Sequence, residues 1–171
     1  ILEDGPLFVA DTHVHPEPTP EQICRTVIAT ARHIRRFGIE PKISICSNSQ
    51  FGTLQTESAK RMRAAIELLD EQNLDFIYEG EMPVDAALDP ETRNRMMPDS
   101  RMEGSANAFV FSNAETAGGV KNSLKSIAGG IEVGPILTGM GSCAHIVTPS
   151  ITVRGLINMA ALAGTPSTFW T

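Results

Sequence analysis

Cysteine is scarce in this chain, cationic residues are outnumbered, and no long apolar run occurs; each shortage closes off a class of function. Cys24, Cys46 and Cys143 are too few and too scattered for a disulfide framework or a zinc site. Reduced thiols and a cytoplasmic location fit that usage. The 14 Lys and Arg against 20 Asp and Glu leave a net charge of −6. A general nucleic-acid role, which needs a basic face, is therefore not expected. No apolar stretch approaches the roughly 20 residues of a membrane span, and no charged-then-apolar signal segment opens the chain. The chain begins abruptly, with a strand-like run a few residues in, and so reads as a piece of something longer.

What is present is ordinary for a globular protein: 42% hydrophobic and 20% charged residues over 171 positions, enough for one domain with a real core. Strand and helix patterns alternate. Residues 7–14 read as a buried strand, and Thr19 with Pro20 and Gln22 opens a helix running to about Phe37. Its apolar residues Ile23, Val27, Ala31 and Ile34 form one stripe. Residues 42–46 form a second strand, 47–53 a polar loop, 56–72 a second amphipathic helix, and Phe76 begins a third strand. Residues 89–101 are irregular, helical at their start and broken by Pro98. A strand over 107–111 and a helix over 114–128 follow, the latter weakened by Gly118 and Gly119 at roughly 1 kcal/mol each against alanine. A fifth strand is expected over 132–137 and a closing helix over 151–163. This order implies βαβ units, a mainly parallel sheet, and sites at the carboxyl ends of strands.

Several stretches carry candidate chemistry. In residues 131–155 an apolar run leads to Gly139, Gly141 and Ser142, then to Thr148-Pro149-Ser150 before the last helix. A glycine loop delivering hydroxyls to a helix start can cradle phosphate on unpaired N–H groups. Equally, Thr148 and Ser150 can simply cap the helix, with Pro149 in its first turn. Asp11-Thr12-His13-Val14-His15 imitates the opening metal motif of amidohydrolase barrels, but only His33 and His145 remain to complete it. The chain is also short for a barrel of roughly 250 residues, so loop histidines are the better reading and no metal is expected. Glu79, Glu81 and Asp85 gather after a strand and could hold a cation or do acid–base work, or could be a charged strand end. The 47–53 loop lacks the lysine and glycine spacing of a P-loop. Cys46 and Cys143 read as small buried apolar residues rather than nucleophiles.

Four ordered stretches then point to a family. Ser47-Asn48 to Gly52, Glu79-Gly80-Glu81-Met82 with Asp85-Ala86-Ala87, Gly104 through Asn107-Ala108-Phe109-Val110-Phe111, and Gly134-Pro135-Ile136-Leu137 with Gly139-Met140 occur in that sequence. The series resembles the phosphate acetyltransferase (phosphotransacetylase) family. The resemblance runs from Leu7 to Ala163 and covers the later half of the family domain. It implies a three-layer α/β/α fold of the isocitrate and isopropylmalate dehydrogenase type, with a mainly parallel sheet, assembled as dimers. Residues 1–166 are expected to form the phosphotransacetylase-like portion and 167–171 a foreign tail.

The departures bear on function. Active members carry a serine and an arginine that handle the acyl phosphate, and a catalytic aspartate on the next helix. Here the resemblance aligns Thr148 and Pro149 with the first two and Gly155 near the third. Pro149 removes the bidentate anion clamp, and Gly155 supplies no base. The string from His145 through Thr148, Pro149, Ser150, Arg154 and Asn158 instead resembles the C-terminal phosphotransacetylase-like domain of bacterial NADP-dependent malic enzymes. Departures from that subfamily are Ser49-Gln50, Gly118-Gly119 and the tail from Thr168. The resemblance implies a non-catalytic module that assembles the oligomer and senses acetyl-CoA, with NADP and a divalent metal confined to a malic-enzyme domain upstream. The alternative it leaves is a working phosphate acetyl- or butyryltransferase. Expected partners are a second copy of the chain and an acyl-CoA, with no membrane. Expected ligand contacts, again by resemblance, are Ser47, Asn48, Thr148, Pro149, Ser150 and Arg154, with acetyl-CoA between their loops.

Overall fold

The structure, a computed structural model, describes residues 1–3, 5–129, 131–139 and 144–165. The chain divides into a larger unit, Pro6–Ser123, and a smaller one made of Ile1–Gly5 and Leu124–Thr171.

The larger unit is a parallel sheet of order β1-β4-β2-β3, with β1 Phe8–Val9, β2 Lys42–Cys46, β3 Ile77–Met82 and β4 Ala108–Phe111. Strand alternation sorts the core onto its two faces. Ile43, Ile45, Ala108 and Val110 pack with the stripes of α1 (Pro20–Arg36) and α2 (Glu57–Asp70). Phe109 and Phe111 pack instead with Ala86 and Ala87 of α3 (Val84–Leu88) and Ala117 of α5 (Ala114–Ile127). Three layers result, as expected. The predicted helix starts are present: Thr19 and Gln22 form a reciprocal capping box before Pro20, and Thr56 Oγ1 accepts from the Ala59 amide. Asp89 caps α4 (Pro90–Met96) by accepting from the Glu91 and Thr92 amides.

Three boundaries differ from the sequence reading. The first strand stops at Val9 because Asp11, at φ 52°, turns the chain and its carboxylate takes the Val14 and His15 amides. The third strand is longer, running through Glu79-Gly80-Glu81 to Met82. Its Gly80 lies against β2, where a Cβ would stand 2.4 Å from the Ile45 carbonyl oxygen at φ +155°. The fifth expected strand is absent: residues 132–137 carry no strand, Pro135 has no amide to donate, and no described strand pairs with them.

In the smaller unit, α6 (Val153–Ala163) is the main element. Among the described residues, every buried hydrophobic residue except Met159 belongs to the larger unit. Leu156 and Ile157 on α6 remain 51% and 62% exposed.

Helix α5 forms despite its glycines, and neither Gly118 nor Gly119 has a neighbour within 4 Å of where a Cβ would stand. Alanine at both should therefore stabilise the larger unit by about 1 kcal/mol per position. A urea unfolding midpoint unchanged or lowered in the double variant would contradict this.

Candidate functional site

The loop after β2 leaves the carboxyl end of the sheet, where ligands of open α/β folds collect. Most of its amides are spent inside the larger unit. Ser47 N–H donates to Met82 O (2.9 Å), Ser49 N–H to Ser47 Oγ (3.1 Å), Phe51 N–H to Glu81 O (2.9 Å) and Gly52 N–H to Glu81 Oε1 (2.9 Å). Gln50 N–H donates to Thr53 Oγ1, and Leu54 N–H to Ser49 Oγ, a side chain that is fully buried. A backbone phosphate nest needs several convergent free amides, and this loop does not present them. What is left for a ligand is mainly side chains, and Asn48 is the exposed one beside Ser47.

Glu79 and Glu81 lie within β3, not after it, and each has its own partners. Glu79 accepts from Ser100 Oγ (2.5 Å) and the Arg101 amide (3.0 Å). Glu81, 1% exposed, pairs with Arg63 Nη1 at 2.8 Å. Asp85 Oδ1 accepts from the Ala86 amide. The three carboxylates are thus distributed among separate structural tasks. An open cleft of about 280 Å³ lies over Phe51, Ile66 and Met97, with Arg63 and Glu81 at its polar side. Cys46 is buried beside Ser44, and burial pushes its thiol up to about 12, which leaves no thiolate for nucleophilic work. Cys143, like Gly141, Ser142 and Met140, lies outside the described residues.

At the end of β1, His15 Nδ1 meets Asp11 Oδ2 at 2.5 Å, and His13 Nδ1 meets Thr12 Oγ1 at 2.6 Å. The two imidazoles therefore have different partners. Among the described residues, no group of three His, Cys, Asp or Glu could hold a metal ion. His33 is buried in α1, edge-on to Phe37.

In the smaller unit, Thr148, Pro149 and Ser150 form a turn closed by the Ile151 amide on Thr148 O (3.0 Å). Thr148 Oγ1 and Ser150 Oγ lie 3.1 Å apart. Neither caps the helix. Thr152 does so, its Oγ1 accepting from Gly155 N–H at 3.0 Å. The capping expectation is thus corrected by position: an extended residue must immediately precede the first helical one, and here that residue is Thr152. Arg154 is exposed in the first turn of α6, as expected. A Cβ on Gly155 would come within 2.9 Å of Ile151 Cγ1 and 3.2 Å of Thr152 Oγ1. Pro149 offers no donor at all. Ser47 and Asn48 belong to the larger unit, and Thr148, Pro149, Ser150 and Arg154 to the smaller.

The sequence reading passed over two arginines that organise the larger unit. Arg63 sits on an exposed-looking helix position. Arg93, 1% exposed, donates to Ser100 Oγ and to the carbonyls of Ala86, Met102 and Gly104. Its partners are mostly backbone oxygens, which leave no mark in a side-chain pattern. No described helix is long and apolar enough to cross a membrane.

Comparison with known proteins follows the same lines. The chain is 43% identical over 164 residues to the NADP-dependent malic enzyme of Salmonella typhimurium, covering 95% of this chain and 22% of that enzyme. It is 43% identical to the NAD-dependent malic enzyme of Rhizobium meliloti, covering 95% of this chain and 21% of the relative. The matched part of the NADP-dependent malic enzymes is their C-terminal region. The EutD phosphotransacetylase from Staphylococcus aureus superposes with a TM-score of 0.83 at 23% identity, over 92% of this chain and 48% of that one. The chain therefore spans about a fifth of the malic enzymes and about half of the solved phosphotransacetylase. The superposition establishes the fold, a parallel sheet flanked by helices. The model of the phosphate acetyl/butaryl transferase family matches residues 1–164, and the chain is a member of that family.

Proposed function

We propose that the chain is a regulatory, non-catalytic module of a multidomain malic enzyme, sensing acetyl-CoA and joining copies of the parent into an oligomer. The parent reaction in this reading is the oxidative decarboxylation of malate to pyruvate, with NADP and the divalent metal held outside these residues. The observation that carries the reading is the turn before α6. Pro149 stands without a charged group where the resemblance puts the family's arginine, and Gly155 is a bare, closely packed position near that of its aspartate. High identity to malic enzymes across 95% of the chain supports the parent.

Ligand contacts are proposed within each unit separately: Ser47 and Asn48 in the larger, Thr148, Ser150 and Arg154 in the smaller. Thr148 and Ser150 contribute adjacent hydroxyls, and Arg154 restores on α6 a positive charge of the kind Pro149 cannot supply. Titration of acetyl-CoA into the full-length protein by calorimetry tests this. Thr148→Val and Arg154→Ala should each weaken binding by roughly 1.5–3 kcal/mol, the worth of a hydrogen bond to a charged group. Unchanged affinity in both would remove these residues from the site.

A further inference from the structure

We infer that Glu81 and Arg63 are the positioning pair of the ligand loop that carries Ser47 and Asn48; the inference rests on the acetyl-CoA reading above. The loop has no regular structure of its own, yet its course is fixed at several points, and three of them lead back to the end of β3. The Ser47 and Phe51 amides donate to the carbonyls of Met82 and Glu81, and the Gly52 amide donates to the Glu81 carboxylate. Arg63, on α2, closes the arrangement. Its Nη1 donates to Glu81 Oε1 (2.8 Å) and to Leu54 O (3.1 Å), and its Nη2 to Gln55 Oε1 (3.3 Å). One guanidinium thus ties the strand to Leu54 and Gln55, where the loop leads on to α2. Glu81 is buried and Arg63 is only 26% exposed, so solvent screens the pair weakly.

The consequence is a loop preset before any ligand arrives. Most of its backbone amides are committed, so it works mainly by holding side chains in place and not by wrapping an anion. A preset loop avoids paying the ordering entropy on binding. Glu81 and Arg63 then influence affinity without touching the ligand.

Two variants separate this from a general loss of structure. Glu81→Gln keeps an oxygen for the Gly52 amide but removes the charge facing Arg63. Arg63→Lys keeps the charge but cannot reach Glu81, Leu54 and Gln55 together. In the full-length protein, each should weaken acetyl-CoA binding about tenfold or more. Amide exchange at Phe51, Gly52 and Leu54 should accelerate, while the amides of α4 keep wild-type protection. Wild-type affinity in both variants, or acceleration spread equally over α4, would overturn the positioning role. Failure of the wild-type protein to bind acetyl-CoA overturns the functional reading, and this inference with it. Binding by the wild type and equally by both variants overturns the inference alone.

Discussion

Replacing Arg93 by methionine is expected to cost the larger unit at least roughly 3 kcal/mol, since a buried acceptor left without its donor costs about 1–3 kcal/mol and three carbonyls lose theirs. That is a large share of the 5–15 kcal/mol by which domains of this size are usually stable. The side chain is 1% exposed and holds three carbonyl oxygens, of Ala86, Met102 and Gly104, to which methionine offers no donor. It also donates to Ser100 Oγ, which donates in turn to the 6% exposed Glu79 carboxylate, so the substitution removes the donor that orients that hydroxyl. Arg93→Lys should recover only part of the loss, because an ammonium cannot span partners arranged around a planar fork. Urea unfolding followed by far-ultraviolet circular dichroism reads both variants. A loss below about 1 kcal/mol for Arg93→Met would show that the network contributes no more than one ordinary hydrogen bond.

No phosphate-dependent release of CoA from acetyl-CoA is expected from the full-length protein. General base catalysis alone is worth about 10²–10⁴ in rate, and Gly155 has no side chain with which to supply it. The resemblance puts the family's anion clamp at Pro149, and proline offers neither charge nor amide hydrogen. Introducing the arginine and aspartate that the resemblance places at or near these positions, by Pro149→Arg with Gly155→Asp, should not confer turnover. A Cβ at position 155 meets Ile151 Cγ1 at 2.9 Å, and the Gly155 amide is already engaged by the Thr152 cap. An added carboxylate must first displace Ile151 before it can be aimed. Turnover within tenfold of an ordinary family enzyme would sink the regulatory reading and favour the acyltransferase one.

Much of the larger unit was legible because its helices announce themselves locally. Thr19-Pro20 with Gln22, Thr56, and Asp89-Pro90 are chemical start signals, and each cap is where the residues indicate. The apolar runs of β2 and β4 are short but buried on both faces, so they survive as strands. Residues 132–137 include Val133, Ile136 and Leu137 and no strand forms, because Pro135 lacks an amide and a strand is a property of a pair whose partner one segment does not contain. Asp11 shortened β1 through its left-handed backbone, a state that asparagine and aspartate adopt without a fixed sequence cue. The site was less legible than the fold. Glu79 and Glu81 looked like a pair of carboxylates available for chemistry, and only the spatial approach of Ser100 and Arg63 commits them elsewhere. Thr148 and Ser150 resembled caps because capping types cluster there, whereas backbone geometry gives the task to Thr152.

The uneven distribution of buried hydrophobic residues has a consequence for how this chain reports its own unfolding. Cooperative melting and its heat-capacity step both scale with apolar surface that becomes wet. Among the described residues, the fully buried part of that surface lies in Pro6–Ser123 apart from Met159. A calorimetric trace of the chain is therefore dominated by the sheet and its helices. Variants at Thr148, Ser150 or Arg154 can change ligand affinity while leaving the trace in place, so melting temperature ranks core variants well and says little about variants in the proposed anion-binding turn.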